Sequence, residues 1–462
     1  MRALLALIIL TSSSICLQAS EEKEIVVRLA TENQRIPVYA AKFVDDRAVF
    51  SPEYLRQLEA ILLFDLNHNG VSSTLPSSPS HESLANQLAV QGGFTEPSKG
   101  WKALGTPYVI KGYVEGEKML SAKLFTANEE GEKCVSGLKL SGKLREDRRQ
   151  VHKLADAICK ALFNVEGIAN TRLLYTLRKP LSENRWSSEI WEADYDGENA
   201  HLLLSQGGYQ LTPVYIPPKP GYQSGSFLYV SYLAAQPKIF ISSLKEPKGR
   251  QLTALRGNQL TPAISSKRDQ IAFISDVTGN PDLFIQEFHP EKGAVGKPRQ
   301  IFAGKQATQG SPTFSPDGKR LAFVSNKDGV PRVYLMSIPP PGTPLKEVKT
   351  QLLSKHTGES SAPAWSPDGS KIAYCAKSGG VRQIWVYDFT SKEEKQLTKG
   401  AGNKENPTWA PNGLCLAYNT TDQEACELYL ISLTQPEATK ISAEAGEKRF
   451  PNWEPRPEKS HG

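Results

Sequence analysis

Three sets of polar residues have types and spacings that could support chemistry. Residues 194–199 (Asp-Tyr-Asp-Gly-Glu-Asn) resemble the start of a calcium loop, but an EF-hand needs further acidic ligands and a bidentate Glu at its end, so a turn between strands is the favoured interpretation. Asp317, Asp368 and Asn412 could place polar groups at an active site, yet each stands between a Pro and a Gly, where hairpin geometry explains all three. His152 could act as a general base; we interpret it as a packed or interdomain hydrogen-bonding residue.

A serine peptidase is the main enzymatic alternative, because prolyl-oligopeptidase-like peptidases join a related propeller to an α/β-hydrolase domain. Such an enzyme needs a Gly-x-Ser-x-Gly elbow followed by Asp and His on a large further domain. The sequence holds no such pentapeptide, and only nine residues follow Trp453. We therefore expect no catalytic residue, no cofactor and no metal.

The turns of Asp317, Asp368 and Asn412 belong to a repeated unit. In residues 311–325 (Ser-Pro-Thr-Phe-Ser-Pro-Asp-Gly-Lys-Arg-Leu-Ala-Phe-Val-Ser) two strand-like segments flank a tight turn, which predicts a β-hairpin. Successive leading prolines are 49, 50, 51, 44 and 44 residues apart, and they are Pro213, Pro262, Pro312, Pro363, Pro407 and Pro451. A third strand with an aromatic residue and a short fourth strand follow in every copy before the last. Six copies of four antiparallel strands predict a six-bladed β-propeller.

The spacing also predicts how the ring closes. The first strands, around Tyr175 and Trp191, have no Pro-x-aromatic strand before them, and the last such strand, ending in Trp453, has nothing after it. We predict that the last strand completes the first blade. Intracellular WD40 scaffolds also form propellers, but their Trp-Asp and Gly-His signatures are missing here.

The amino terminus has the pattern of a secretory signal. Arg2 precedes an apolar run at residues 3–10, and a small residue, Ala19, ends the segment. Lipidation at Cys16 is disfavoured because Ile15 stands where that signal needs a small residue. The apolar run is shorter than a membrane span, so we expect residues 1–19 to be removed and the mature chain to be soluble and exported.

The remaining composition is that of a globular protein. The 462 residues are 39% hydrophobic and 23% charged, with a net charge of +6 and no basic tract, so we expect no nucleic-acid partner. Five cysteines remain after the signal, without a Cys-x-x-Cys motif; buried free thiols or one optional bridge are both compatible with that count. We expect a monomer.

Residues 20–166 show no repeat and predict a separate α/β domain. Strands are expected at 25–29 and 36–39, a helix from Ser51 to about 66, a largely irregular segment at 71–100, a hairpin at 108–126 and a second helix from about Glu146. The propeller would occupy 167–457 and a tail 458–462. The predicted fold is thus an α/β amino-terminal domain followed by an all-β six-bladed β-propeller.

Several of these residues carry a resemblance to a known family. Asp65-Leu66 with Gly70, residues 101–105 (Trp-Lys-Ala-Leu-Gly) before a strand ending in Gly112, and residues 149–152 (Arg-Gln-Val-His) with Asp156 resemble the amino-terminal domain of the TolB family. The order of signal, α/β domain and six blades extends the resemblance over the mature chain. It implies a periplasmic adaptor of the Tol-Pal system that binds the lipoprotein Pal and the inner-membrane protein TolA, supporting outer-membrane integrity and cell division.

The resemblance also implies two binding regions. For Pal it points to the loop residues before the strand prolines, at one mouth of the central channel: Asn258, Thr261, Gly310, Ser311, Ser361 and Asn406, with Phe450 beside them. Ordinary filling of loops by small polar residues would look similar. For TolA it implies the segment after the signal, Ser20, Glu21, Glu22, Lys23 and Glu24, for which a frayed terminus is the alternative. Another periplasmic propeller scaffold or a peptidase-like exported protein remains the alternative function.

Overall fold

Helices of the amino-terminal region begin and end where local signals place them. The computed structural model describes residues 35–457 except 46, 48, 92–97, 128–131, 183–184, 234–235, 356–357 and 423–424. Helix α1 spans Pro52–His68. Ser51 caps this helix by accepting a hydrogen bond from the Tyr54 N–H at 3.2 Å. Helix α4 spans Leu144–Phe163 and ends at Asn164, whose left-handed backbone donates its N–H to the Lys160 carbonyl. The predicted strand at 25–29, the signal and the tail lie outside the described residues.

These helices pack on a five-stranded mixed sheet. Its order is β2-β1-β3-β4-β5, with β1 (Ile36–Val44) parallel to β2 (Ser72–Thr74) and β3 (Tyr108–Glu115), and with β4 (Met119–Thr126) and β5 (Glu132–Lys139) antiparallel. Alternate residues of a strand face opposite sides. Val38 and Ile110 accordingly pack with α1 and α4, whereas Tyr39 and Val109 pack in a second cluster with Trp101. The predicted hairpin at 108–126 is confirmed.

The prediction that residues 71–100 are largely irregular is wrong. They contain β2, α2 (Pro79–Gln91) and the start of α3 (Ser98–Ala103). Ser78 accepts a hydrogen bond from the His81 N–H at 3.2 Å, so Ser78-Pro79 starts α2 as Ser51-Pro52 starts α1. The wholly buried Leu88 packs α2 against the sheet, and tertiary packing outweighs the Ser- and Pro-rich local composition.

The rest of the described chain forms six four-stranded antiparallel blades, as predicted. The strands of each blade are given from the innermost to the outermost. Blade 1 consists of β29 (Glu447–Trp453), β6 (Arg172–Ser182), β7 (Arg185–Asp194) and β8 (His201–Leu204); blade 2 of β9 (Gln210–Tyr215), β10 (Ser226–Ser231), β11 (Lys238–Ser243) and β12 (Arg250–Gln251); and blade 3 of β13 (Gln259–Ile264), β14 (Gln270–Ser275), β15 (Asp282–His289) and β16 (Gly293–Phe302). Blade 4 consists of β17 (Gln309–Phe314), β18 (Arg320–Ser325), β19 (Arg332–Ser337) and β20 (Gln351–Leu352); blade 5 of β21 (Ser360–Trp365), β22 (Lys371–Ser378), β23 (Val381–Asp388) and β24 (Glu394–Gln396); and blade 6 of β25 (Lys404–Trp409), β26 (Cys415–Thr420), β27 (Leu428–Ser432) and β28 (Gln435–Lys440). A 3-10 turn, Leu345–Glu347, precedes β20.

Each innermost strand contains a bulge at its proline. The residue before the proline has a left-handed backbone, with φ between 44° and 55°, at Thr212, Thr261, Ser311, Ala362, Asn406 and Phe450. The pairing with the second strand shifts register at the same place in every blade. Left-handed non-glycine residues cost on the order of 1 kcal/mol or more, so the sheet must impose this conformation. A bulge also explains why proline, which has no N–H, is tolerated in an inner strand.

The ring closes as the spacing predicts. Strand β29 pairs antiparallel with β6, so the end of the described chain supplies the innermost strand of the first blade. Trp453 is buried, and its indole N–H donates to Thr171 Oγ1 at 2.8 Å. Next to it, Arg172 binds the buried Glu454 carboxylate through two hydrogen bonds of 3.0 and 2.6 Å.

The α/β region packs on blades 6 and 1. Asn412, in the turn between β25 and β26, donates to the Asn69 carbonyl at 2.9 Å, and Asn199, in the β7–β8 loop, donates to the Arg145 carbonyl at 3.2 Å. This face is therefore the one that carries the turns between first and second strands. The innermost strands begin at the opposite face, so one mouth of the channel lies away from these contacts.

Two further properties concern cysteines and membranes. All five cysteines of the described residues are free: Cys134 is exposed, and Cys159, Cys375, Cys415 and Cys426 are buried. None of the described helices combines the length and the apolar composition needed to cross a lipid bilayer.

Candidate functional site

His152 lies in a buried cluster between the α/β region and the propeller. Its Nδ1 is 2.8 Å from Asp65 Oδ2, and its Nε2 is 3.7 Å from Asp196 Oδ2. Tyr195 donates to Asp65 Oδ1 at 2.7 Å, and the guanidinium of Arg148 forms an ion pair with Asp196. These contacts agree with the interpretation of His152 as an interdomain hydrogen-bonding residue.

The charges of this cluster set the protonation of His152. Burial alone would lower the pKa of His152, but the carboxylates of Asp65 and Asp196 outweigh burial and raise that pKa to about 9. Donor atoms of Asp65, His152 and Asp196 lie within 4.8 Å of one another, a spacing from which a metal ion could be held. Because Arg148 and Tyr195 already occupy the carboxylates, the arrangement is that of an ion-pair network between two regions.

The polar turn residues act in hairpin geometry, as expected. Asp317 accepts hydrogen bonds from the Ser315 hydroxyl and from the Lys319 N–H. Asp368 accepts the equivalent hydrogen bonds from the Ser366 hydroxyl and the Ser370 N–H. The hydrogen bond from Ser315 holds the pKa of Asp317 below its ordinary value. Residues 194–199 likewise form a turn, in which Asn199 donates to Asp194 Oδ2 at 2.7 Å.

The residues expected to bind Pal lie around the open mouth, but mostly inside strands. Thr261, Gly310, Ser311, Ser361 and Asn406 lie within the innermost strands, at or next to the proline bulges, and only Asn258 precedes its strand. The expectation that all of them are loop residues is therefore corrected. All six are partly buried, as residues that line a channel should be.

Two adjacent blades present groups that no internal partner uses. The Thr261 hydroxyl is buried and has no hydrogen-bond partner among the described residues. Gly310 has open space at its Cβ position, where the nearest atom, Val324 Cβ, is 3.9 Å away. Asn258 is held by Asp276, but its Oδ1 forms no hydrogen bond within the described part of the chain.

On blade 6 the amide of the expected residue is engaged inside the propeller. Asn406 donates to Asn419 Oδ1 at 2.9 Å, and the same oxygen accepts from the Phe450 N–H at 3.2 Å. On blade 5, Ser361 pairs with the buried Cys375 across adjacent strands. The structure thus distinguishes Asn258 and Thr261, each with an oxygen that no described residue uses, from Asn406, whose amide is engaged.

Ion pairs and exposed apolar side chains both surround the mouth. The ion pairs include Arg382 with Glu405 at 2.7 Å, Arg178 with Glu447 at 3.1 Å and Lys327 with Asp328 at 3.0 Å. Exposed apolar and aromatic side chains are more numerous on blades 2 to 4, at Tyr209, Tyr232, Leu233, Val277 and Val330, with Leu181 on blade 1. Such a surface, apolar with a few uncommitted polar groups and bounded by charged residues, has the composition of a protein-binding site.

Sequence reasoning missed Asp276, which holds Asn258, and the ring pair Tyr209 and Tyr232, whose centroids are 6.1 Å apart. The sequence did contain a pattern that could have indicated the role of Asp276. Asp276, Asn326 and Asp422 each stand just after a second strand, and each accepts a hydrogen bond from the N–H before the innermost strand. The segment Ser20–Glu24 lies outside the described residues.

Comparison with known proteins agrees with this architecture. A family model described as the TolB beta propeller domain matches residues 159–457. A protein named TolB homolog from Protochlamydia amoebophila is 53% identical over 82% of this chain and 80% of its own length. The chain belongs to the TolB family. A TolB homolog from Chlamydia felis is 35% identical over 81% of both chains.

Solved structures show the same fold. The crystal structure of TolB from Acinetobacter baumannii aligns with a TM-score of 0.72, covering 92% of this chain and 98% of that one at 22% sequence identity. The TolB fold is therefore retained over the α/β region and the propeller together, although most residues differ.

Proposed function

We propose that this TolB-family chain is a non-catalytic periplasmic adaptor of the Tol-Pal system, which binds Pal at the open mouth of the propeller and TolA through Ser20–Glu24. In this proposal residues 1–19 are a signal peptide that directs export, 20–166 form the amino-terminal domain, 167–457 the propeller and 458–462 a tail. By linking Pal and TolA the adaptor would support outer-membrane integrity and constriction of the envelope during division.

One observation carries the Pal part of the proposal. On blades 3 and 4 the mouth presents the Thr261 hydroxyl, the Asn258 carbonyl oxygen and the open space at Gly310, and none of these is filled by a described neighbour. Buried polar groups are normally hydrogen-bonded, so a hydroxyl left without a partner favours an external one. The exposed Tyr209 and Tyr232 nearby supply the aromatic surface in which protein interfaces are enriched.

The arrangement of the two faces supports an adaptor. The α/β region contacts the face opposite to the mouth, so it leaves the mouth open to a protein partner. Binding energy at the mouth would come from hydrogen bonds and shape at a rigid rim, since the left-handed bulges are fixed by the sheet.

Calorimetric titration of residues 20–462 with the soluble domain of Pal and, separately, with the periplasmic domain of TolA from the same organism tests the proposal. We expect each to bind with one-to-one stoichiometry, and Pal to bind when TolA is already present. Absence of binding by both partners to the folded chain would overturn it.

A further inference from the structure

Asn258 is held by its neighbours in one orientation. Its backbone N–H donates to Asp276 Oδ1 and its side-chain Nδ2 donates to Asp276 Oδ2, both at 2.6 Å. Because both carboxylate oxygens are acceptors, only the amide nitrogen of Asn258 can face them. Asp276 therefore fixes which way the amide points and leaves Oδ1 as an acceptor on the other side.

The loop before Asn258 is clamped from its other end. The buried ammonium of Lys238, on β11 of blade 2, donates to the Leu255 and Gly257 carbonyls at 2.6 and 2.5 Å. Gly257 has a φ of 72°, and a Cβ there would lie 2.3 Å from Asp276 Oδ1, so only glycine fits against the carboxylate. The Lys238 ammonium, bound to two carbonyl groups of the loop, and the Asp276 carboxylate, bound to the N–H groups of Asn258, together hold this loop in place.

Blade 6 contains a second copy of the arrangement. Gly402-Asn403 precedes β25 as Gly257-Asn258 precedes β13, and the Asn403 N–H donates to Asp422 Oδ1 at 3.2 Å. In this copy, however, Asn403 Oδ1 accepts a hydrogen bond from the Arg382 N–H at 2.9 Å. The acceptor of the blade 6 copy is thus used within the protein.

The blade 3 copy lacks that donor because proline occupies the equivalent position. Arg382 lies three residues before Trp385, and Pro237 lies three residues before Phe240, the matching aromatic residue of β11. Proline has no N–H, so the residue equivalent to Arg382 cannot donate to Asn258 Oδ1. In this copy, which lies beside Thr261, the acceptor has no partner among the residues that the structure describes.

We propose that Asp276 is a positioning residue, which holds Asn258 so that its Oδ1 accepts a hydrogen bond from a donor group of the protein that binds the mouth, and that Pro237 keeps this acceptor free. The inference rests on the proposed Pal function. It adds to that function the chemistry of one contact: the partner must present an N–H or O–H group to blade 3.

Three variants of the full mature chain test the proposal by calorimetric titration with the soluble domain of Pal. Asn258→Ala removes the acceptor, Asp276→Asn removes the constraint on the amide, and Pro237→Ala supplies a competing N–H. Each is expected to weaken binding by about tenfold, the effect of roughly one hydrogen bond. The double variant Asn258→Ala/Asp276→Asn should bind no more weakly than Asn258→Ala alone, because Asp276 acts through Asn258.

Matched controls come from the other blades. Asp422→Asn repeats the aspartate change in blade 6, and Pro331→Ala repeats the proline change in blade 4; both are expected to leave Pal affinity unchanged. Loss of affinity in Asn258→Ala with full affinity in both Asp276→Asn and Pro237→Ala overturns the positioning role. Full affinity in Asn258→Ala overturns the contact itself and leaves the adaptor function standing. Failure of the wild-type chain to bind Pal counts against the proposed function instead.

Discussion

Side-chain oxygen atoms at two sites on opposite faces of the propeller differ in whether they have a partner. On the face covered by the α/β region, both carboxylate oxygens of Asp65 are hydrogen-bonded and Asp196 is paired with Arg148. At the open mouth, Asn258 Oδ1 and the Thr261 hydroxyl have no partner among the described residues. Unpaired polar groups are costly in a permanent interface. This difference is what the proposed binding of a partner at the open mouth would require, because the Asp65 and Asp196 carboxylates are already used between the α/β region and the propeller.

The largest effect is expected where the ring closes beneath the covered face. Ending the chain after Gly446 removes β29, and with it the buried Trp453 and the Glu454 partner of Arg172. Loss of a buried tryptophan alone costs about 3–5 kcal/mol, and β6 would become an open edge. We expect the melting temperature to fall steeply or the chain not to fold.

Ending the chain after Pro457 is the matched control, since it keeps β29, Glu454 and the ion pair of Arg456 with Asp156. This shorter truncation should melt like the full chain. Equal melting temperatures for the two truncations would refute closure by the last strand.

The next effect concerns the ion-pair cluster of the covered face. His152→Gln leaves Asp65 and Asp196 without the imidazolium, and breaking a buried pair typically costs about 3–5 kcal/mol. The folded-state pKa of His152 lies above the ordinary value of 6.5, at about 9. Its contribution to stability is therefore complete below pH 6.5 and is lost as the pH rises through 9. The stability difference between wild type and variant should shrink over that interval.

His68→Gln provides the control for this pH dependence. Burial lowers the pKa of His68 from its ordinary value of 6.5, so well above pH 6.5 this histidine is neutral in both the folded and the unfolded chain. Its stability difference should stay constant from about pH 7.5 to 9. A difference for His152→Gln that stays constant or grows over the same interval, measured by urea unfolding, would show that the imidazole is not charged in the cluster.

The smallest effect on stability is expected for the amino-terminal segment. Deleting Ser20–Glu24 should leave the melting temperature unchanged, since these charged residues have no apolar anchor, while reducing affinity for the periplasmic domain of TolA. Unchanged TolA affinity in calorimetric titration would make the segment an inert terminus. Pal affinity of the same deletion serves as its internal control.

The sequence predicted the repeated parts of this fold well and the single parts less well. Six copies of the Pro-x-aromatic strand reinforce one another, so blade number, strand order and closure by Trp453 could be predicted. Helix α2 could not be predicted in the same way, because its only local signal, Ser78-Pro79, stands in a segment whose composition favours loops, and burial of Leu88 decides the outcome.

The site was predictable in position but not in detail. Repeat alignment places Thr261, Ser311 and Asn406 at equivalent points around one mouth. It cannot show that Asn406 is bound to Asn419 while Thr261 is unbound, because that depends on side chains from the neighbouring strand. The left-handed bulges were also missed, since a non-glycine residue before proline gives no local indication of positive φ.

The most direct test of the account is a steric block at the open mouth with residues that the fold already accepts. Thr261→Phe copies Phe450 at the equivalent left-handed bulge, and Gly310→Leu copies Leu260 at the equivalent strand position. The control pair, Lys267→Phe and Lys319→Leu, changes exposed residues in the turns at the opposite ends of the same two strands. We predict that the mouth double variant keeps its melting temperature and binds the soluble domain of Pal at least ~10-fold more weakly, whereas the control pair binds like wild type. A folded mouth double variant with wild-type affinity for Pal would contradict the claim that the open mouth is the binding site.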